Sequence, residues 1–231
     1  MADSDKASNP MGTGRFLFPR WVNLLLPVAA VAVVGGAFYV PTLFALGASP
    51  RAMAVGYQPV QPIPYSHALH AGKLGIDCRY CHNTVEKTGF ASLPATQTCM
   101  NCHTKIRKDS PLLGPLRESW TTGRPVQWVK IHNLPNYVYF NHAAHVNHGV
   151  GCVECHGRID RMDVVAQQQP LSMSWCLECH REPEKRLRPR GEITNMNWDP
   201  QRDQTALGHG LKQAYRIHDA AYMTSCYTCH R

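Results

Sequence analysis

Tyr139-Phe140-Asn141-His142-Ala143-Ala144-His145, followed after six residues by Cys152-Val153-Glu154-Cys155-His156, is the stretch on which the reading of this chain turns. It ends in Cys-x-x-Cys-His, the spacing of a c-type haem attachment site. Two thiols three residues apart can each bond one vinyl group of a haem, and the adjacent histidine then lies under the iron as its proximal ligand. His142 and His145 are also three apart, so on a helical turn they share a face. They are placed to act as distal ligands, and two different irons can be served by them.

The same pattern occurs five times, at Cys78-x-x-Cys81-His82, Cys99-x-x-Cys102-His103, Cys152-x-x-Cys155-His156, Cys176-x-x-Cys179-His180 and Cys226-x-x-Cys229-His230, and it uses all ten cysteines. Paired Cys-x-x-Cys knuckles also bind zinc, but zinc does not explain a histidine after every second cysteine. Thioether bonds would consume the thiols, which leaves none for disulfides. The expectation is five covalently bound haem c groups, each with its iron. The 167 residues from Tyr65 to Arg231 then hold roughly one haem per 33 residues. That is too little protein for a conventional core, so porphyrin faces must supply much of the buried apolar surface. With 17 Gly and 17 Pro in the chain, the expected fold is mostly irregular with short α-helices: a multihaem c-type cytochrome with one N-terminal transmembrane helix.

The formal charge of +8 would on a bare protein suggest nucleic acid or an anionic surface. Five haems bring about −10 in propionates and about +5 in ferric cores, for a sum of about +3. No nucleic-acid partner is implied.

Residues 1–20 read as a cytoplasmic tail and 21–47 as the transmembrane helix, in contact with membrane lipid. Trp21 to Leu46 contains no charged residue; as helix it measures about 39 Å, against a hydrocarbon core of about 30 Å. It exceeds the apolar core of a signal peptide, about 7–15 residues, so an uncleaved anchor is expected. Arg15 and Arg20 put its amino end in the cytoplasm and the haem-binding part of the chain on the periplasmic side of the inner membrane. Ala29, Ala32, Gly35 and Gly36 form a small-residue stripe, which either packs against another helix or reflects common usage in such helices. Residues 48–64, with four prolines, read as a semi-rigid tether.

From Tyr65 the chain repeats itself. Tyr65-Ser66-His67-x-x-His70 precedes Cys78 as Phe140-Asn141-His142-x-x-His145 precedes Cys152, and each repeat runs on into a second motif after 16 and 19 residues. Ser66 and Asn141 can cap the helical turns, and the aromatic residue would cover a porphyrin. Within a pentahaem domain over 65–231 this gives dihaem modules at about 65–110 and 137–190 and a fifth haem held by 191–231. His82, His103, His156, His180 and His230 are the expected proximal ligands. His67, His70, His142 and His145 are the first candidates for distal positions and His132 the next; His148, His209 and His218 rank below them. Met173 and Met196 are candidates for a methionine ligand, which raises the potential. The run Glu182 to Arg190 (EPEKRLRPR) reads as a solvated turn, with a propionate clamp or docking edge as the alternative.

The stretches IHNLPNYVYFNHAAHVNHGVGCVECHG and LSMSWCLECHREPE, with five motifs and one amino-terminal membrane helix, resemble the pentahaem cytochrome c subunit of alternative complex III, a bacterial quinol:electron-acceptor oxidoreductase. The multihaem subunit of menaquinone reductase complexes is also similar. The resemblance runs from about Trp21 to the C-terminus. It implies an electron-transfer subunit, not catalytic alone, beside integral-membrane quinone-binding subunits, an iron–sulfur subunit and a monohaem cytochrome c. Electrons would pass to a soluble carrier or a terminal oxidase. It also implies that His67 serves the haem at Cys78 and His142 the haem at Cys152, with His70 and His145 reaching other haems. The rival reading is a self-sufficient membrane-anchored multihaem quinol dehydrogenase.

Overall fold

A computed structural model describes residues 20–47, 49, 53–200 and 203–230. The tail 1–19 with Arg15, the Arg20 side chain, and residues 48 and 50–52 of the expected tether lie outside the described residues. The chain divides into two units, Met1–Ser49 and Pro50–Arg231.

In the first unit a 3₁₀ turn, Arg20–Leu24, leads into helix α1, Leu25–Gly47. Pro27 falls in the first turn of α1, where its missing N–H would have no partner in any case. Pro41 lies inside the helix. Beside it the Thr42 hydroxyl donates to the Phe38 carbonyl at 2.7 Å, giving the weakened ladder another bond. The most apolar 18 residues of Trp21–Gly47 have a mean hydropathy of 2.1, and they are not covered within the structure. By length and composition this one helix, among the described residues, can cross a membrane.

The second unit is helical and irregular, without strands among the described residues. Two isolated antiparallel bridges join Val138 to His230 and Val150 to Leu187. Its helices are α2 (Cys78–Cys81), α3 (Thr96–His103), α4 (Gly114–Thr122), α5 (His142–Asn147), α6 (Cys152–His156), α7 (Met173–Arg181), α8 (Gln204–Ala214), α9 (Ala220–Met223) and α10 (Cys226–Cys229), with a π-helical turn at Ala68–Lys73. Helices this short are not stable on propensity alone. Several are nucleated by side-chain caps: Asp77 accepts from Arg79 N at 2.8 Å, Asn141 from Ala144 N at 3.2 Å and Asp219 from Tyr222 N at 2.9 Å. Ser66 does the same for the π turn, accepting from Leu69 N at 3.0 Å.

Six apolar side chains are buried among the described residues: Ile63, Met100, Leu116, Val146, Leu187 and Ile193. Ile63, Met100 and Leu116 form one cluster, flanked by Leu113, Val126 and Trp128. So small an apolar interior fits a domain whose hydrophobic filling is a cofactor.

Two segments differ from their sequence reading. Residues 53–64, expected within a tether, open with a turn at 53–56 and are sewn onto the domain. Gly56 N donates to the Gln167 carbonyl at 2.8 Å and Gln167 N to that of Tyr57 at 3.1 Å. The Gln61 amide pairs twice with the Val129 backbone, at 2.9 and 3.0 Å, and Ile63 enters the core. Prolines stiffen a chain whether it is free or docked, so their density did not distinguish the two. The EPEKRLRPR run is not a solvated turn: Leu187 is 1% and Arg188 3% exposed. Arg188 donates to Glu154 Oε1 at 2.6 Å and lies 4.7 Å from the Trp198 ring centre. Arg186 donates to Glu154 Oε2 and Glu178 Oε1, each at 3.2 Å. The alternation of charged and apolar residues there is that of a threaded segment.

Helix α8 packs on the 3₁₀ turn Pro183–Lys185, and at Gly208 a Cβ would collide with the Glu184 carbonyl, whereas Gly210 faces open space. Gly208→Ala should therefore lift α8 from the turn and destabilise the protein by about 1–3 kcal/mol. Gly210→Ala should be neutral or stabilise by up to about 1 kcal/mol. Urea unfolding followed by circular dichroism measures both, and equal effects would contradict this packing.

Candidate functional site

Each Cys-x-x-Cys-His motif folds as a single helical turn, on α2, α3, α6, α7 and α10. Residues three apart on a helix share a face, so the two thiols of each motif point the same way and the histidine follows at the turn's end. No two of the ten cysteines are joined in a disulfide. Among the described residues no three His, Cys, Asp or Glu side chains converge as a zinc site needs.

The histidines are oriented by backbone carbonyls. His82 Nδ1–H donates to Ser92 O at 3.0 Å, His103 to Ile106 O at 2.9 Å, His180 to Met223 O at 2.9 Å and His230 to Tyr137 O at 3.1 Å. Among the candidate distal ligands, His70 donates to Ser66 O at 2.8 Å, His145 to Asn141 O at 2.7 Å and His142 to Gly89 O at 3.1 Å. A proton held on Nδ1 leaves Nε2 as the nitrogen available to a metal.

The internal repeat holds in three dimensions. The Tyr65 ring meets His67 edge-on at 4.8 Å and stacks on His70 at 4.4 Å; the Phe140 ring meets His142 edge-on at 4.7 Å and stacks on His145 at 4.5 Å. Each aromatic side chain is thus the spacer that sets two imidazoles at different angles, a role beyond the porphyrin cover expected of it. The backbone differs between the copies: the first is the π turn, the second is α5.

Two ring pairs have a spacing with a direct chemical meaning. An imidazole nitrogen binds a first-row metal at roughly 2.0 Å, with the ring centre roughly 1.1 Å behind it, so two imidazoles on opposite sides of one metal have centres roughly 6.2 Å apart. The His70 and His103 centres are 6.3 Å apart, and those of His145 and His180 6.1 Å apart.

The first and third motifs face one cavity of about 150 Å³, open to solvent. This exceeds the share of one water, about 30 Å³. Cys78, Cys81 and His82 line it from one module, Cys152, Cys155 and His156 from the other; His67, His142 and Met196 also line it. Buried here without partners are His67 Nδ1 and His156 Nδ1, and also His132 Nε2, whose ring lies edge-on to His156 at 4.5 Å. Burial pushes the His67 imidazole down to about 4 and that of His156 to about 3, and it lowers His132, His142 and His145 as well. All are held neutral at physiological pH, the form that coordinates metal. The paired rings, the cavity and the orphaned nitrogens together fit haem.

Of the remaining candidates, Met173 opens α7 and is exposed. His209 and His218 are exposed as well. The Arg186–Glu154–Arg188 cluster beside the third motif was missed by reading the sequence. Its signal is Glu at the same position inside two motifs, Glu154 and Glu178, with alternating arginines downstream.

No family model matches the chain. It is similar to the multihaem cytochrome c subunit of menaquinone reductase from Nitratidesulfovibrio vulgaris (strain Hildenborough), with 36% identity over 100 residues, 43% of this chain and 47% of that protein. The chain spans about half the length of the curated relative it matches.

Proposed function

We propose that this protein is an electron-transfer subunit that carries five c-type haems and works inside a membrane quinol oxidoreductase resembling alternative complex III. The observation that carries this reading is the pair of imidazole couples, His70 with His103 and His145 with His180, at the spacing one metal requires. A haem held between two of this chain's imidazoles would leave no site for a substrate and would supply a one-electron carrier. The chain's own part would be to attach it through the paired cysteines and to fix through Nδ1 the tautomers of His70, His82, His103, His142, His145, His180 and His230.

His82 and His156 serve the two haems of the shared cavity, with distal ligands drawn from His67, His142 and His132, and Met196 on its wall; His230 holds the fifth. The similarity to a menaquinone reductase subunit supports a quinone-linked membrane complex. In our reading α1 crosses the inner membrane once, the haem domain lies on the periplasmic side, and electrons leave for a carrier or terminal oxidase. Trp21 to Leu46 contains no Asp, Glu, Lys, Arg or His and its Tyr39 is exposed, whereas an intramembrane quinol site needs buried polar or titrating groups. The quinone site therefore belongs to a partner subunit, with an iron–sulfur subunit and a monohaem cytochrome c as further neighbours.

Denaturing mass spectrometry of the purified protein should give the polypeptide plus five haem masses; fewer would correct the count. His70→Ala and His145→Ala should each turn about one haem in five high-spin and open it to carbon monoxide, with low-spin character restored by added imidazole. A spectrum unchanged from the parent would refute the pairing. A quinol analogue should reduce the isolated, fully loaded subunit slowly, and quickly once the membrane partners are added. Fast, inhibitor-sensitive reduction of the lone subunit would establish a quinol dehydrogenase in its own right.

A further inference from the structure

We infer that the five attachment motifs are ordered in space as second, first, third, fourth, fifth, so that the motifs at Cys99 and Cys226 are the two ends of the array. This rests on the haem reading above and adds to it the path between the sites.

Each neighbouring pair is joined by contacts of its own. The second and first motifs touch through their inner positions, where Asn101 Nδ2 donates to the Tyr80 hydroxyl at 3.2 Å. His70 lines the cavity of the first motif while its ring pairs with His103 of the second. The first and third motifs share that cavity. One segment ties them together: Cys152 N donates to the Ile193 carbonyl at 2.9 Å, and the next residue, Thr194, donates to Asp77, the cap of α2, at 3.0 Å. The third and fourth are bridged by Arg186, which holds Glu154 of one and Glu178 of the other; His145 lines the central cavity while its ring pairs with His180. The fourth and fifth meet where His180 Nδ1–H donates to Met223 O. Met223 ends α9, three residues before Cys226.

Four links, each read from independent atoms, give one unbranched path. The repeat explains why it departs from chain order. The two modules meet through their first motifs, and the second histidine of each His-x-x-His turn reaches outward to the module's second motif. A donor and an acceptor must then approach opposite modules, the one at the Cys99 end and the other at the Cys226 end.

The test uses the full, haem-loaded chain in its membrane complex. Electron cryomicroscopy should place five irons in the order second, first, third, fourth, fifth. An iron of the second motif nearer to that of the third than to that of the first would overturn the inference. Absence of haem would instead refute the reading beneath it. Independently, Cys99→Ala with Cys102→Ala should leave a four-haem protein by mass. The electron paramagnetic resonance signal of the first haem alone should change, whereas Cys226→Ala with Cys229→Ala should change that of the fourth alone. A change at the third haem on removing the second is what an array in chain order requires, and it would refute ours.

Discussion

The hydrogen bond from a histidine Nδ1–H to a backbone carbonyl is the interaction on which this domain depends. A bond of that kind fixes both the tautomer and the rotation of an imidazole, and seven of the candidate ligands make one. Two of the acceptors lie one helical turn upstream of their histidines. Others come from far along the chain: Tyr137 orients His230, Met223 orients His180, and Gly89 orients His142. The irregular loops are therefore the scaffold of the ligands, and their paths are set by where a carbonyl has to stand.

Around this constraint the fold repeats a small device. An aromatic ring separates two histidines, stacking on one and meeting the other with its edge. The first of the pair lines the cavity between the modules, and the second turns toward the module's outer motif. A π turn in one copy and an α turn in the other reach the same side-chain arrangement, so the ring geometry survives where the backbone does not.

What was legible in the sequence is what depends on short-range spacing. The Cys-x-x-Cys-His turns, the caps Ser66 and Asn141 and the doubled His-x-x-His motif each involve residues within a few positions of one another, and local geometry follows from such spacing. The apolar helix was legible from length and composition. The carbonyl partners were not, because every residue carries a carbonyl and Gly89 or Met223 has no signature of its role. The docking of residues 53–64 depends on partners about a hundred positions away, Gln167 and Val164 among them. Arg188 looked like a solvent residue because charge predicts exposure. It lies instead in a slot that only Gly151 leaves open, since a Cβ there would meet the guanidinium.

The scarcity of buried apolar side chains has a consequence for how such a chain comes to exist. With six of them among the described residues, the polypeptide has little to collapse upon, and conformational entropy opposes folding at every residue. Binding free energy released on assembling a site absent from the unfolded chain is folding free energy. On the proposed haem reading, thioether formation would come first, on a chain still open enough to be modified, and tertiary structure would follow as the imidazoles gained their iron. On that reading, control over when the folded protein appears would rest with the supply of cofactor and with the machinery that attaches it.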